Sequence, residues 1–174
     1  MFTLASARFN NETLLSNYKF RLERGIPCLY CAPQPMSPKI KKNSLVIVIE
    51  MNNELNQVEG IGLVKNSIIN LDRYFKVHAN ANFNRYIFKG NYHINREELI
   101  RYNSKIIEIL DNLLFKGKTH LKRGAGITTI TPKLLKNEKC EGLDIKLLIK
   151  DMFLNIFNSI KIEDNIEDNN IKNI

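Results

Sequence analysis

The chain has no tryptophan and only three cysteines in 174 residues. Three thiols cannot build an even disulfide framework, so the sequence points to a reducing, intracellular setting, cytoplasmic or nuclear. No apolar run nears the ~20 residues that a bilayer-spanning helix needs, so no membrane is expected among the partners. The first residues, MFTLASARFNNE, lack a basic stretch followed by a long apolar core and make a poor secretory signal. There is no nucleophile triad, dinucleotide fingerprint or paired-carboxylate motif, so no catalytic residue and no cofactor is expected. Gly117-Lys118-Thr119 has the ending of a P-loop, but the glycine needed five residues earlier is Asn112, inside a helical pattern. Acids are the minority, 18 against 26 Lys and Arg, for a net charge of +8. That balance suits a polyanion such as RNA or DNA, and it also serves solubility.

What is present is ordinary for a globular protein: 44% hydrophobic and 25% charged residues. The length fits one domain over residues 1–160. The remainder, 161–174, is Asn-rich and acidic and reads as a disordered tail. Abundant Asn, Ile and Lys suggest an AT-rich genome, as in a parasite, a protist or a large DNA virus.

The most informative stretch is Ser44 to Asn66, SLVIVIEMNNELNQVEGIGLVKN. It reads as two apolar strands joined by the turn Asn52-Asn53-Glu54-Leu55-Asn56. Gly60 and Gly62 interrupt the second strand, where glycine marks a bulge or a close approach of another group. Earlier, residues 1–17 show no firm pattern beyond a helical turn over Glu12 to Leu15. Tyr18 to Leu22 alternates like a half-buried strand, and Ile26 to Ala32 is a second strand. Pro33, Pro35 and Pro38 enforce an extended loop that ends on Lys39, Lys41 and Lys42.

After the hairpin, Arg73 to His78 and Arg85 to Ile94 read as strands, the latter bent at Gly90. Asn95, with Glu98 three residues on, starts an amphipathic helix to about Phe115. Glu97 and Glu98 serve its cap and dipole. Residues 116–139 are basic loop with a short helix near Pro132. Leu143 to Ile160 forms a C-terminal amphipathic helix. The fold class is therefore α+β.

The segment Ile49-Glu50-Met51-Asn52, followed by Val58-x-Gly60-Ile61-Gly62, resembles a hairpin of the PUA-like superfamily, notably its YTH, EVE and ASCH modules. The resemblance spans Tyr18 to Leu99. It implies a small β-barrel flanked by helices that binds RNA or DNA and takes one base, sometimes a modified one, into a cleft. It places Asn52 and Asn53 at the cleft mouth, with Tyr30 and Tyr92 as base-pocket aromatics and Tyr86 or Phe88 as further stacking candidates. The tryptophans of the YTH cage are missing, and Tyr or Phe faces stand in for them. Core packing is the alternative reading for each aromatic, and the favoured one for Phe75 and Phe88. Some ASCH-like proteins are hydrolases with a Lys and a Glu in the cleft, which here implies Glu50 and Lys65.

Two further motifs carry chemistry. Lys116, Lys118, His120, Lys122 and Arg123 form the strongest basic cluster, with glycines that admit phosphate close to backbone N–H groups. It is a nucleic-acid contact or a solvated loop. Cys28-x2-Cys31 has the spacing of half a zinc site. Cys140, His78, His93 and His120 are too scattered to complete it, so no metal is expected. The alternative to nucleic-acid binding is a protein-interaction role for the basic loop and the C-terminal helix.

Overall fold

The computed structural model of the chain describes residues 2–69 and 75–171, with side chains in the last helix through residue 158. It begins with strand β1 (Phe2–Phe9) and helix α1 (Asn11–Arg24). The Asn10 side chain accepts from the Thr13 amide and Thr13 answers from its hydroxyl, a reciprocal cap. Gly25, with φ of 59°, ends the helix in the left-handed conformation that glycine adopts without strain. Here the structure corrects the sequence reading. The expected strand over Tyr18 to Leu22 is the last part of α1, and the patternless start is a strand.

Strands β2 (Cys28–Ala32), β3 (Leu45–Asn52) and β4 (Gln57–Lys65) follow. After a 3-10 turn over Ala81–Asn84 come β5 (Tyr86–Gly90) and β6 (Tyr92–Asn95). Of the expected strand over Arg73 to His78, residues 73 and 74 lie outside the described residues and 75–78 carry no strand pairing. Helix α2 (Arg96–Phe115) starts on the capping box Asn95–Glu98 and kinks at Asn103. The Asn103 side chain accepts from the Ile106 amide and so caps the second segment. A two-residue strand β7 (Thr128–Thr129), a short helix α3 (Pro132–Leu135) and helix α4 (Ile145–Ile171) complete the chain. The tail expected at 161–174 falls within and beyond the end of α4, where side chains lie outside the described residues.

The main sheet has the order β6-β4-β3-β1-β7, and β2 and β5 form a separate two-stranded sheet. β3 is its centre, parallel to β1 and antiparallel to β4, with a bulge at Glu50/Met51. The barrel implied by the PUA-like resemblance is not formed. Among the described residues β6 and β7 end the main sheet on opposite sides, and β2 pairs with β5 alone, so the two sheets stack rather than close.

β3 is buried along nearly its whole length because both its faces are covered. On one face Ile47, Ile49 and Met51 pack with Ile61, Ile94, α2 and α4. Full burial of each such side chain is worth about 1.5–3 kcal/mol. On the other face Val46 and Val48 meet Tyr30 and Phe88 of the small sheet. α1 lies outside the small sheet, and its Asn17 donates to the Leu29 carbonyl. No helix among the described residues is long and apolar enough to cross a membrane.

Candidate functional site

Gly60 and Gly62 clear space on the α1 side of the main sheet. Glu50 of β3 is registered with Gly60, and His93 of β6 with Gly62. β3 and β6 are two strand spacings apart, about 10 Å. Their side chains meet because β4 carries none between them: His93 Nε2 lies 2.9 Å from Glu50 Oε1. A Cβ on Gly60 would stand 2.7 Å from Glu50 Oε2 and 2.9 Å from His93 Nε2. A Cβ on Gly62 would strike the Tyr30 hydroxyl and Cys28 Sγ. Tyr30 uses that gap to reach down from the small sheet and donate to Glu50 Oε1 at 2.9 Å.

Glu50 is only 2% exposed. Burial raises its pKa, and this is the largest single influence. The neighbouring charges of His93 and Arg21 and the hydrogen bonds from His93 and Tyr30 together outweigh it, so the net direction is below the ordinary carboxylate value. The ionised carboxylate only accepts, so His93 Nε2 donates and Nδ1 is the ring nitrogen left for other contacts. Among the described residues no protein hydrogen bond reaches Glu50 Oε2.

Above this pair lies a cavity of about 570 Å³. Glu50, His93, Glu59 and Asn95 come from the sheet, and Leu14, Leu15, Tyr18, Arg21 and Leu22 from α1. Arg21 is 8% exposed, and its Nη1 donates to the Pro27 carbonyl at 3.1 Å, while its buried Nε has no partner. The cavity therefore offers a mostly aliphatic wall and an acceptor at Glu50, with the buried Arg21 side chain beside it. This is the composition of a small-ligand pocket: apolar lining with a few convergent polar groups.

None of the sequence-derived pocket residues Tyr30, Asn52, Asn53 and Tyr92 lines this cavity. Tyr30 is completely buried, so it supports Glu50 and presents no face for stacking. Asn52 is 1% exposed; its amide donates to Asn11 Oδ1 and Glu59 Oε1, at 2.9 and 3.0 Å, which fixes two cavity residues. Asn53 donates to the Lys122 carbonyl at 3.0 Å. Tyr92 is on the opposite face, 4.7 Å from the Phe157 ring. Tyr86 is half-buried and Phe88 fully buried in the small-sheet core, and Phe75 packs against Phe20.

Lys65 does not meet Glu50. It pairs with Leu45 at the start of β3, five residues and about 17 Å away along the strand. Cys28 and Cys31 point to opposite sides of β2, the first toward Gly62 and the second toward the outer cluster with Ile26 and Leu29, so they cannot share a metal. Burial pushes both thiols up to about 12.

The basic cluster sits at the hairpin turn. Lys116, Lys118 and Arg123 are exposed, and His120 and Lys122 half-buried. Lys122 Nζ donates to Asn56 Oδ1 at 2.6 Å, its amide donates to His120 Nδ1, and its carbonyl holds Asn53. Hydrogen bonds thus run from the basic loop through Asn53 and Asn52 to Asn11 and Glu59 at the cavity. Arg21 and His93 were not singled out from sequence. Arg21 lies in the segment misread as strand, and the Leu14-Tyr18-Leu22 spacing of four was the available signal for a helix. His93 gave no local signal, because its meeting with Glu50 depends on strand pairing. No protein-family model, curated protein or solved structure matches this chain.

Proposed function

We propose that the protein is a nucleic-acid-binding module that takes one unstacked base into the cavity above Glu50 and His93. The observation that supports this most is the acceptor Glu50 Oε2, without a protein hydrogen bond among the described residues, beside His93 in an aliphatic cavity. A nucleobase carries ring or exocyclic N–H donors beside carbonyl or ring-nitrogen acceptors on an otherwise apolar plate. A phosphate is a poorer fit, because Glu50 and Glu59 repel it. Phosphates belong on the cations of the adjoining loop, exposed Lys118 and Arg123 and half-buried Lys122.

The test is oligonucleotide affinity against salt concentration. Log affinity should fall linearly with log salt, and K118A/K122A/R123A should weaken binding evenly across sequences and flatten the slope by about 2, from ~0.7 per lost single-strand phosphate contact. Affinity that does not respond to salt removes the phosphate contacts. A protein-partner reading has one observation in its favour, the exposed Leu143, Leu147 and Leu154 along α4 and its entry. It gains ground if the L147E/L154E variant abolishes a self-association seen with the unmodified chain while leaving oligonucleotide binding intact.

A further inference from the structure

A second and larger concavity, about 990 Å³, opens at the far end of β1 and β3 from the basic hairpin turn. Four lysines from separate segments line it: Lys39 and Lys41 from the proline-rich loop, Lys136 after α3, and Lys146 in the first turn of α4. Lys39, Lys41 and Lys136 are exposed. Lys146 Nζ lies 5.0 Å over the Phe2 ring. The lone lining acid is Asp144, whose Oδ1 already accepts from the Leu147 amide at 3.0 Å. Thr129, Thr131 and Asn137 add neutral hydrogen-bonding groups above an apolar floor that includes Leu4 and Ile130.

The groove and the basic loop are joined by one strip of chain. Arg8 near the end of β1 donates to the Leu121 carbonyl and to Thr128 Oγ1. β7 then pairs antiparallel with Ala5 and Ser6, and the Ile130 amide donates to the Leu4 carbonyl beside the groove. Residues 121–131 therefore run the length of β1 along the edge of the main sheet, with lysines at both ends. The eight residues of β1 span about 26 Å.

We infer that this groove is a second phosphate-binding site for the same nucleic-acid strand, which lies along the β1–β7 edge from Lys122 and Arg123 to Lys39, Lys41, Lys136 and Lys146. The inference rests on the nucleic-acid reading above and adds a polarity-independent footprint. At ~3.4 Å per phosphate in a stacked strand, about 8 nucleotides are needed to touch both ends.

The experiment measures binding of single-stranded DNA and RNA oligonucleotides of 4, 6, 8, 10 and 12 nucleotides over a salt series. It uses the full chain and the surface variant K39A/K41A/K136A. The unmodified protein should show a steeper salt slope once the oligonucleotide reaches about 8 nucleotides. The variant should lose that step, with a slope shallower by about 2 and affinity lower on the order of a hundredfold at 0.1 M salt for long oligonucleotides only. Four-nucleotide probes should bind both proteins alike. If the unmodified chain binds and the variant matches it at every length, the groove is not a site, while the nucleic-acid reading stands. If no oligonucleotide binds the unmodified chain at any salt, both fall together.

Discussion

At the scale of single residues, three glycines hold the arrangement. Gly60 gives room to Glu50 and His93, Gly62 to Tyr30 and Cys28, and Gly90 lets the small sheet approach the Leu63 carbonyl. An added methyl at Gly60 meets side-chain ends that can shift, whereas at Gly90 it meets backbone. Gly60→Ala should cost about 1–3 kcal/mol, the usual range for overpacking. Gly90→Ala should cost more, read as the shift in the midpoint of urea unfolding. Titration gives a second expectation. Burial lowers the pKa of His78, whose Nδ1 lies 2.8 Å from Ser16 Oγ, and Glu50 is also held below its ordinary value. For both, the unfolded chain binds protons more readily than the fold. Stability should therefore fall as pH drops below the ordinary histidine range, and fall again below the ordinary carboxylate range. His78→Gln should flatten the first decline and Glu50→Gln the second, in chemical denaturation followed across pH.

At the scale of elements, what was legible depended on whether the signal was local. The β3–β4 hairpin, α2 with its Asn95–Glu98 box and the Pro132 helix were readable because turn, cap and periodicity residues lie within a few positions of one another. α1 was misread because Tyr18, Phe20 and Leu22 alternate with Lys19 and Arg21, while Tyr18 and Leu22 are exposed at the cavity rather than buried as a strand face. The Asn10–Thr13 cap outweighs that alternation. Asn10→Ala should cost about 1 kcal/mol and loosen the cavity roof, visible as faster amide exchange in α1. The pairing of β6 beside β4, which brings His93 to Glu50, is a long-range event with no local trace. So is the tie between hairpin and α2: Asp111 accepts from the Val58 amide at 2.7 Å and pairs with Arg96 at 2.9 Å. Asp111→Ala leaves that amide without its acceptor and Arg96 with only the Val58 carbonyl, and about 1–3 kcal/mol of stability should go with it in the same unfolding assay.

At the scale of the whole molecule, charge and shape divide the work. In the proposed reading, exposed lysines at the hairpin turn and at the far groove supply sequence-independent attraction, and the cavity between α1 and the sheet supplies selection. On that reading cations set the salt slope and the cavity sets base preference, so the two contributions separate experimentally. Leu15 is about half exposed and lines the cavity, so Leu15→Trp should fill the cavity while leaving the core and the basic loop alone. The most direct measurement is fluorescence anisotropy of equal-length single-stranded oligonucleotides, each built from one base, with the unmodified chain and with Leu15→Trp at fixed salt. The account predicts that the unmodified chain favours one base by roughly 10- to 100-fold, as good donor–acceptor pairing gives. Leu15→Trp should erase that preference while keeping the salt slope. Equal affinity of the unmodified chain for every base, or a preference that survives the plug unchanged, would contradict it.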